Sequence, residues 1–387
     1  MRFEFSAATR IIFGPGTARE AVAAAVSLGD RALVVTGSTP GRLDSFVREL
    51  NSRHVECVRF PTSGEPTIDA ILEGVRIFRE ARCNLVVGCG GGSALDGAKA
   101  IAGLATNPGA PLDYLEVVGG GKPLAQPGAP CICMPTTAGT GCEVTRNAVL
   151  ISPEHRVKVS LRSNWMFPHL AVVDPELTYS LPPDITAATG MDALTQLIEP
   201  FVCIRANPMT DALCRDGIRR VAQWRQRAVA DGANAEAREN MALASLFGGL
   251  ALTNAGLGAV HGFAAPMGGM FPIPHGVACA CLLPFVMEAN LKALSNRPAE
   301  SDALARYDEI ARVVTGNPDA KAEAAVGWIH MLRTKLSIPS LAGFGITEKD
   351  IPAIAGQADK SSSIKGNPIK LTQEELTGIL RSALGGQ

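Results

Sequence analysis

The chain reads as an α/β fold in its amino-terminal half followed by an all-α fold in its carboxyl-terminal half. Three observations carry this reading. Short β-branched, apolar runs alternate with helix-like segments in the first half. A glycine triplet stands directly between one such run and a helical pattern. In the second half, long helical periodicities replace the alternation. At 387 residues the chain exceeds one typical core and suggests two domains. The Pro-rich stretch LPPDITAATG marks the boundary, giving domains 1–180 and 181–387.

The elements follow in order. Residues 31–36, with the core ALVVT, predict a strand, residues 84–88 (NLVVG) a second and residues 130–135 a third, each ending near Gly, Pro, Ser or Thr. AVVDPELT, from Ala171 to Thr178, predicts a further buried strand and turn. Ligands of such sheets collect at the carboxyl ends of the strands. Beyond the boundary, MDALTQLIEP, TDALCRDGIRRVAQWRQRAVA and NAEARENMALASLFGGLALTNA all carry helical spacing. Pro-Ile-Pro at 272–274 separates His261 from His275, so the two histidines belong to different helices or to a helix and its incoming loop. No internal repeat is present.

Composition narrows the function classes. Hydrophobic residues make up 47% of the chain, charged ones 19%, and the net charge is -1. No global electrostatic footprint for nucleic acid or an anionic membrane results, and a small molecule is the expected partner. Met1-Arg2 opens a mixed polar and apolar run rather than a secretory signal, and no stretch reads as a membrane span. Ten cysteines in a chain of this size point to a reducing cytoplasm rather than disulfides. Cys131/Cys133 and Cys279/Cys281 have a spacing compatible with strand alternation rather than with a zinc knuckle, and are read as buried packing, not as metal ligands.

Gly90, Gly91 and Gly92 lie between the strand NLVVG and a helix expected to begin near Ser93. Glycine permits close backbone approach, and exposed amides at a helix start favour anions, so the loop suits a pyrophosphate, with a plain tight turn as the other reading. Asp96 and Lys99 follow on the first turns. Asp96 either orients a ligand or backbone group or complements the helix dipole. Residues 135–141 (PTTAGTG) form a second small-residue loop, in which Thr136 and Thr137 offer hydroxyls to phosphates or a nicotinamide amide.

Asp192 and Gln196 are four residues apart and project from one helix face. With His261 and His275 they compose a carboxylate, amide and two-imidazole set suited to a divalent ion. Gln196 either offers its carbonyl oxygen or stands back and leaves a water. His54, His155, His169 and His330 are read as structural.

The blocks GGGSALDGAKA, PTTAGTGCEVT, DALTQLIEP, HGFAAPMGG and PHGVACACLLPFVMEAN, in this order, resemble the iron-containing (group III) alcohol dehydrogenase family across nearly the whole chain. The resemblance implies a Rossmann-like dinucleotide-binding α/β domain, a helical domain and a cleft between them. It further implies hydride transfer between NAD or NADP and a small alcohol or aldehyde, and a homo-oligomer. By position, Gly91, Gly92 and Ser93 match the family's pyrophosphate loop, and Thr136, Thr137 and Lys158 match residues around the cofactor. Asp192, His261 and His275 match metal ligands and are the expected catalytic set, which implies a divalent metal, Fe or Zn, weakly bound or absent where Gln196 replaces the fourth ligand.

The departures from the family are specific. Gln196 stands where a histidine ligand is usual, Ala265 where a second histidine near the active site is common, and Cys142 where serine is frequent. Gly37-Ser38-Thr39 stands where many NAD-preferring members begin with an aspartate. That change removes a carboxylate that would repel a 2'-phosphate, so NADP is tolerated, with Arg42 as a nearby cation. Two alternatives stay open: a metal-independent enzyme like the maleylacetate reductases, and an inactive nucleotide-binding protein.

Overall fold

The computed structural model describes residues 2–116, 118–155, 157–297 and 302–385, with the Pro40 and Arg42 side chains outside the description. The chain divides into two compact units. One is Ser6–Ser180; the other runs from Leu181 onward and includes the amino-terminal stretch ending at Phe5.

The sheet unit contains strands β1 (Ile11–Phe13), β2 (Arg31–Thr36), β3 (Glu56–Pro61), β4 (Leu85–Gly90), β5 (Cys131–Pro135), β6 (Asn147–Ser152), β7 (Val157–Arg162) and β8 (Leu170–Val173). Its helices are α1 (Ala18–Leu28), α2 (Asp44–Ser52), α3 (Ile68–Glu80), α4 (Gly92–Ala105) and the single turn α5 (Pro111–Tyr114). Six strands form one parallel sheet in the order β1-β8-β5-β4-β2-β3, and β6 and β7 form a separate antiparallel hairpin. The four strands expected from the sequence are present. AVVDPELT divides into β8 and a 3₁₀ turn at Pro175–Thr178.

The central strands are continuous apolar runs because both of their faces are covered. In β2, Leu33 and Val35 face a core with Ile71, Val75, Leu95 and Ile101. Ala32 and Val34 face the opposite core, with Ala21, Val22, Ala25 and Leu50. From β2 the chain crosses outward to β3, whereas from β4 it crosses the other way to β5. The carboxyl ends of β2 and β4 therefore flank the topological switch point, where such sheets bind ligands.

The helical unit contains α6 (Pro183–Val202), α7 (Pro208–Ala230), α8 (Ala235–Asn254), α9 (Ala259–Met270), α10 (His275–Asn296), α11 (Ala303–Thr315), α12 (Ala322–Lys335), α13 (Ile351–Lys360) and α14 (Gln373–Gly385). No strand occurs among its described residues, as the periodicity led us to expect. The first turn of α6 starts inside the Pro-rich boundary stretch, because Pro183 at the first helical position gives up an N–H that no helix start can use. Asn207 caps α7, accepting from Met209 N and Thr210 N. Helix α6 packs against α7, α8 and α10 and is buried along nearly its whole length. Helix α10 is long and apolar enough to cross a membrane, but 83% of its most apolar window is buried inside the protein.

Candidate functional site

Three helices bring the expected metal residues together in the helical unit. Asp192 lies in the middle of α6, His261 on the first turn of α9 and His275 at the first position of α10. The break that separates the two histidines is the Pro-Ile-Pro turn. Asp192 Oδ1 stands 3.5 Å from His261 Nε2 and 3.7 Å from His275 Nε2. This oxygen is fully buried and has no hydrogen-bond partner among the described residues. A buried carboxylate oxygen in that position costs free energy unless a cation or donor meets it. The three atoms thus fit a divalent ion by chemistry and by spacing.

One ligand is held from behind. Glu199, seven residues after Asp192 and on the same face of α6, places Oε2 2.5 Å from His261 Nδ1. Its Oε1 accepts from Val260 N at 2.7 Å, while Asn367 Oδ1 accepts from Ala259 N at 3.2 Å. These two side chains satisfy amides at the start of α9, which has no capping side chain of its own. With Nδ1–H donated to Glu199, His261 turns Nε2 and its lone pair toward Asp192. The electrostatics agree. Burial alone would raise the Asp192 carboxyl, but His275 and His261 outweigh it and hold it below the usual carboxylate value. Burial disfavours charge on both imidazoles, yet Cys279 and Asp192 hold both His261 and His275 above the usual imidazole value, with Glu199 adding to the effect on His261. The cluster is therefore a place that attracts positive charge.

Two further residues complete the surroundings. Gln196 sits one turn after Asp192 and is buried, and its Oε1 has no partner among the described residues. That oxygen lies 3.5 Å from where a Cβ on Gly248 of α8 would stand. Cys279 follows His275 by one turn of α10, and its Sγ is 3.9 Å from His261 Nε2 and 3.8 Å from His275 Nε2. Asp192, His261, His275 and Cys279 each bring one donor atom into a group whose members all lie within 4.8 Å of one another. Reading Cys279/Cys281 as strand alternation is corrected here: both lie on a helix, where a spacing of four, from His275 to Cys279, is what places side chains together. Cys131 and Cys133 do alternate on a strand, β5. Ala265, one turn after His261, is half-buried and carries no group able to move a proton.

The sheet unit assembles the second set. Gly90 ends β4, Gly91 precedes α4 without any side-chain cap and Gly92 opens the helix, so the helix start presents backbone amides alone. A Cβ on Gly92 would come within 2.7 Å of Thr140 Cγ2, which explains the need for glycine. Thr136 N donates to Gly90 O at 2.9 Å, and Thr137 lies against Gly91, bringing the 135–141 loop beside the glycine loop. Gly37, at the end of β2, borders Gly90 and has no atom within 4 Å of where its Cβ would be. Ser38 and Thr39 are exposed, and the Arg42 side chain lies outside the described residues.

Two of the expected cofactor residues have partners inside the unit. Asp96 Oδ2 accepts from Val149 N at 2.9 Å, and its Oδ1 pairs with Lys99 Nζ at 3.0 Å. Lys99 also donates to Thr145 Oγ1 at 2.8 Å and Asn147 O at 2.5 Å, tying α4 to the start of β6. Lys158, on the β6–β7 hairpin, pairs with Glu65 at 2.7 Å. Sequence reasoning assigned no role to Glu143, which is buried beside this network. Burial pushes its carboxyl up to about 7, against the opposing pull of the Lys99 ammonium.

Comparison with known proteins agrees with both halves of this picture. The family profile "Iron-containing alcohol dehydrogenase" matches residues 8–175, and "Fe-containing alcohol dehydrogenase family, C-terminal" matches residues 186–384. Alcohol dehydrogenase 4 of Schizosaccharomyces pombe is 41% identical over 320 residues, covering 82% of this chain and 73% of the yeast protein. A crystal structure of 1,3-propanediol oxidoreductase superposes with a TM-score of 0.91 at 35% identity, covering 99% of this chain and 100% of that one. Sulfoacetaldehyde reductase from Bifidobacterium kashiwanohense, solved in complex with NAD+, superposes at 0.86 with 31% identity over 99% of each chain. The parallel sheet, the helical unit with its cluster of candidate metal ligands and these matches lead to one conclusion: the chain belongs to the iron-containing alcohol dehydrogenase family.

Proposed function

We propose that the protein is an NAD(P)-dependent alcohol dehydrogenase, or in the reverse direction an aldehyde reductase, in which Asp192, His261 and His275 hold a divalent metal. The observation that carries the reading is the buried, unpartnered Asp192 Oδ1 facing two imidazole nitrogens at 3.5 and 3.7 Å. When bound, the metal supplies Lewis-acid polarisation of a substrate oxygen and the nicotinamide supplies or accepts the hydride. Asp192 contributes negative charge, and its burial keeps water from competing for that charge. Glu199 fixes the His261 tautomer that leaves Nε2 free as a ligand. The amides at Gly91, Gly92 and Ser93 bind the pyrophosphate, and Thr136 and Thr137 offer hydroxyls beside them. Ala265 takes no part in proton transfer, so a relay runs through water, a ribose hydroxyl or another side chain.

Gly37 in place of an acidic residue supports use of NADP alongside NAD. The substrate class is a small alcohol or aldehyde, in keeping with the alcohol and propanediol chemistry in the relatives' names. A homo-oligomeric state and a cytoplasmic location belong to the same proposal, the latter supported by ten cysteines that are all unbridged. The test is metal analysis of protein purified without chelator, followed by nicotinamide absorbance with a panel of alcohols and aldehydes. Metal-dependent turnover is expected. Turnover that survives thorough metal removal would move the protein to the metal-independent reading that Gln196 and Ala265 favour, and no turnover with any substrate would favour an inactive nucleotide-binding protein.

A further inference from the structure

The helical unit offers a fourth donor that a position-by-position match to the family does not supply. Cys279 is fully buried, and its Sγ stands nearly equidistant from the two imidazole nitrogens, at 3.9 and 3.8 Å. A tetrahedral ion with metal–nitrogen and metal–oxygen distances of about 2.0–2.1 Å and a metal–sulfur distance of about 2.3 Å sets nitrogen roughly 3.3 Å from oxygen and roughly 3.6 Å from sulfur. The nitrogen–oxygen separations here are 3.5 and 3.7 Å, and the nitrogen–sulfur separations 3.9 and 3.8 Å. Each lies within about 0.4 Å of the edge that a bound ion would impose. Gln196 Oε1 is likewise buried without a partner among the described residues, but a neutral amide oxygen is a weaker donor than a thiolate.

We propose that Cys279, as a thiolate, is the fourth protein ligand of the metal, in place of the imidazole that is missing at Gln196. The proposal rests on the metal reading above. Two anionic donors, Asp192 and Cys279, then neutralise the divalent charge that a carboxylate and three imidazoles would leave half-compensated. Sulfur directs the site toward a thiophilic ion such as Zn²⁺ or Co²⁺. Asp192, His261, His275 and Cys279 would hold the ion, and the ion would supply Lewis-acid polarisation of a substrate oxygen.

The experiment uses the full chain, stripped with chelator and reloaded with Co²⁺. The expected result is one equivalent of Co²⁺ with a near-ultraviolet thiolate-to-cobalt charge-transfer absorption. In Cys279→Ser this absorption disappears while weaker Co²⁺ binding through Asp192, His261 and His275 persists, and in Gln196→Ala it remains. Zn²⁺ affinity falls in Cys279→Ser by more than the ~10–100-fold typical of losing an outer partner of a ligand. Bound Co²⁺ without the charge-transfer absorption, or an absorption that survives Cys279→Ser, overturns the thiolate assignment and leaves the metal reading standing. A wild-type chain that binds neither Co²⁺ nor Zn²⁺ overturns both. If Cys279→Ser fails to fold, zinc-edge X-ray absorption of the unaltered protein decides the point: a shell at about 2.3 Å supports sulfur, and a first shell confined to about 2.0–2.1 Å refutes it.

Discussion

Replacing Lys99 with methionine tests how the sheet unit is braced. The Lys99 side chain is completely buried, and its ammonium meets Asp96 Oδ1 at 3.0 Å, Thr145 Oγ1 at 2.8 Å and Asn147 O at 2.5 Å. Methionine fills most of the same space, so the cavity contribution is small. What remains is the Asp96 carboxylate, one-tenth exposed and left with the Val149 N–H as its hydrogen-bond donor. Removing one partner of a buried ion pair costs about 3–5 kcal/mol, because the other charge stays buried and uncompensated. In a unit of this size each kcal/mol lowers the melting temperature by about 2–4 °C, so Lys99→Met should melt roughly 6–20 °C below wild type. Urea unfolding followed by far-ultraviolet circular dichroism gives the free energy, with the two units resolved as separate phases where their transitions differ. The double variant Asp96→Leu/Lys99→Met should recover a large part of the loss. The sign of the pH dependence is fixed as well. Burial works to lower the Lys99 value but Asp96 outweighs it and raises it above the ordinary 10.5, so the stabilisation is fully present below 10.5 and fades only as pH rises through the folded value. The deficit of Lys99→Met should therefore be flat across neutral pH. A loss below about 1 kcal/mol, the range of an exposed pair, would refute the reasoning.

Three other perturbations probe separate parts of the molecule. Glu199→Gln removes the carboxylate that holds His261 Nδ1, and should weaken Zn²⁺ or Co²⁺ binding about 10–100-fold in a chelator competition; unchanged affinity would show that His261 needs no such support. Gly37→Asp has room for its side chain and restores a ribose-binding carboxylate. The ratio of catalytic efficiency with NAD to that with NADP should rise about 10- to 100-fold, the effect of one hydrogen bond to a charged group, and a static ratio would remove Gly37 from cofactor discrimination. Arg225 is buried in α7 with no hydrogen-bond partner for its guanidinium nitrogens among the described residues. Arg225→Met should therefore stabilise the helical unit by about 1–3 kcal/mol, read as a higher unfolding midpoint, and a lower midpoint would mean that the guanidinium is satisfied in solution.

The parts of the fold that were legible in the sequence are those with a single consistent period. β2, β4, β5 and β8 are covered on both faces and read as plain apolar runs. β3 is an edge strand whose residues alternate between exposed and half-buried, and the β6–β7 hairpin mixes apolar and polar residues, so neither stood out. At the metal cluster, Asp192, His261 and His275 were visible because each lies in a block that resembles the family. Cys279 was misread because two cysteines separated by one residue suggest a period of two, whereas the informative spacing was the four residues back to His275. Glu199 lay in a quoted block, but its partner is 62 residues further along the chain, and no local pattern announces such a contact. Asp96 reads from the sequence as orienting a ligand or a backbone group or as complementing the helix dipole, and in the fold it holds the Val149 amide and pairs with Lys99, to which the sequence assigns no role.

Helix α10 has a consequence of its own. It carries His275 and Cys279 at one end and is apolar enough to suit a lipid bilayer, yet its hiding place is built from helices α6, α9, α12 and α14, the last two of which leave the ribosome after it. During synthesis, α10 therefore emerges before all of its cover exists, and the growing chain displays a sticky 22-residue rod. Lesions that delay docking of the carboxyl-terminal helices would turn the helical unit into a nucleus for aggregation, and the yield of folded protein would fall even where Asp192, His261 and His275 are intact.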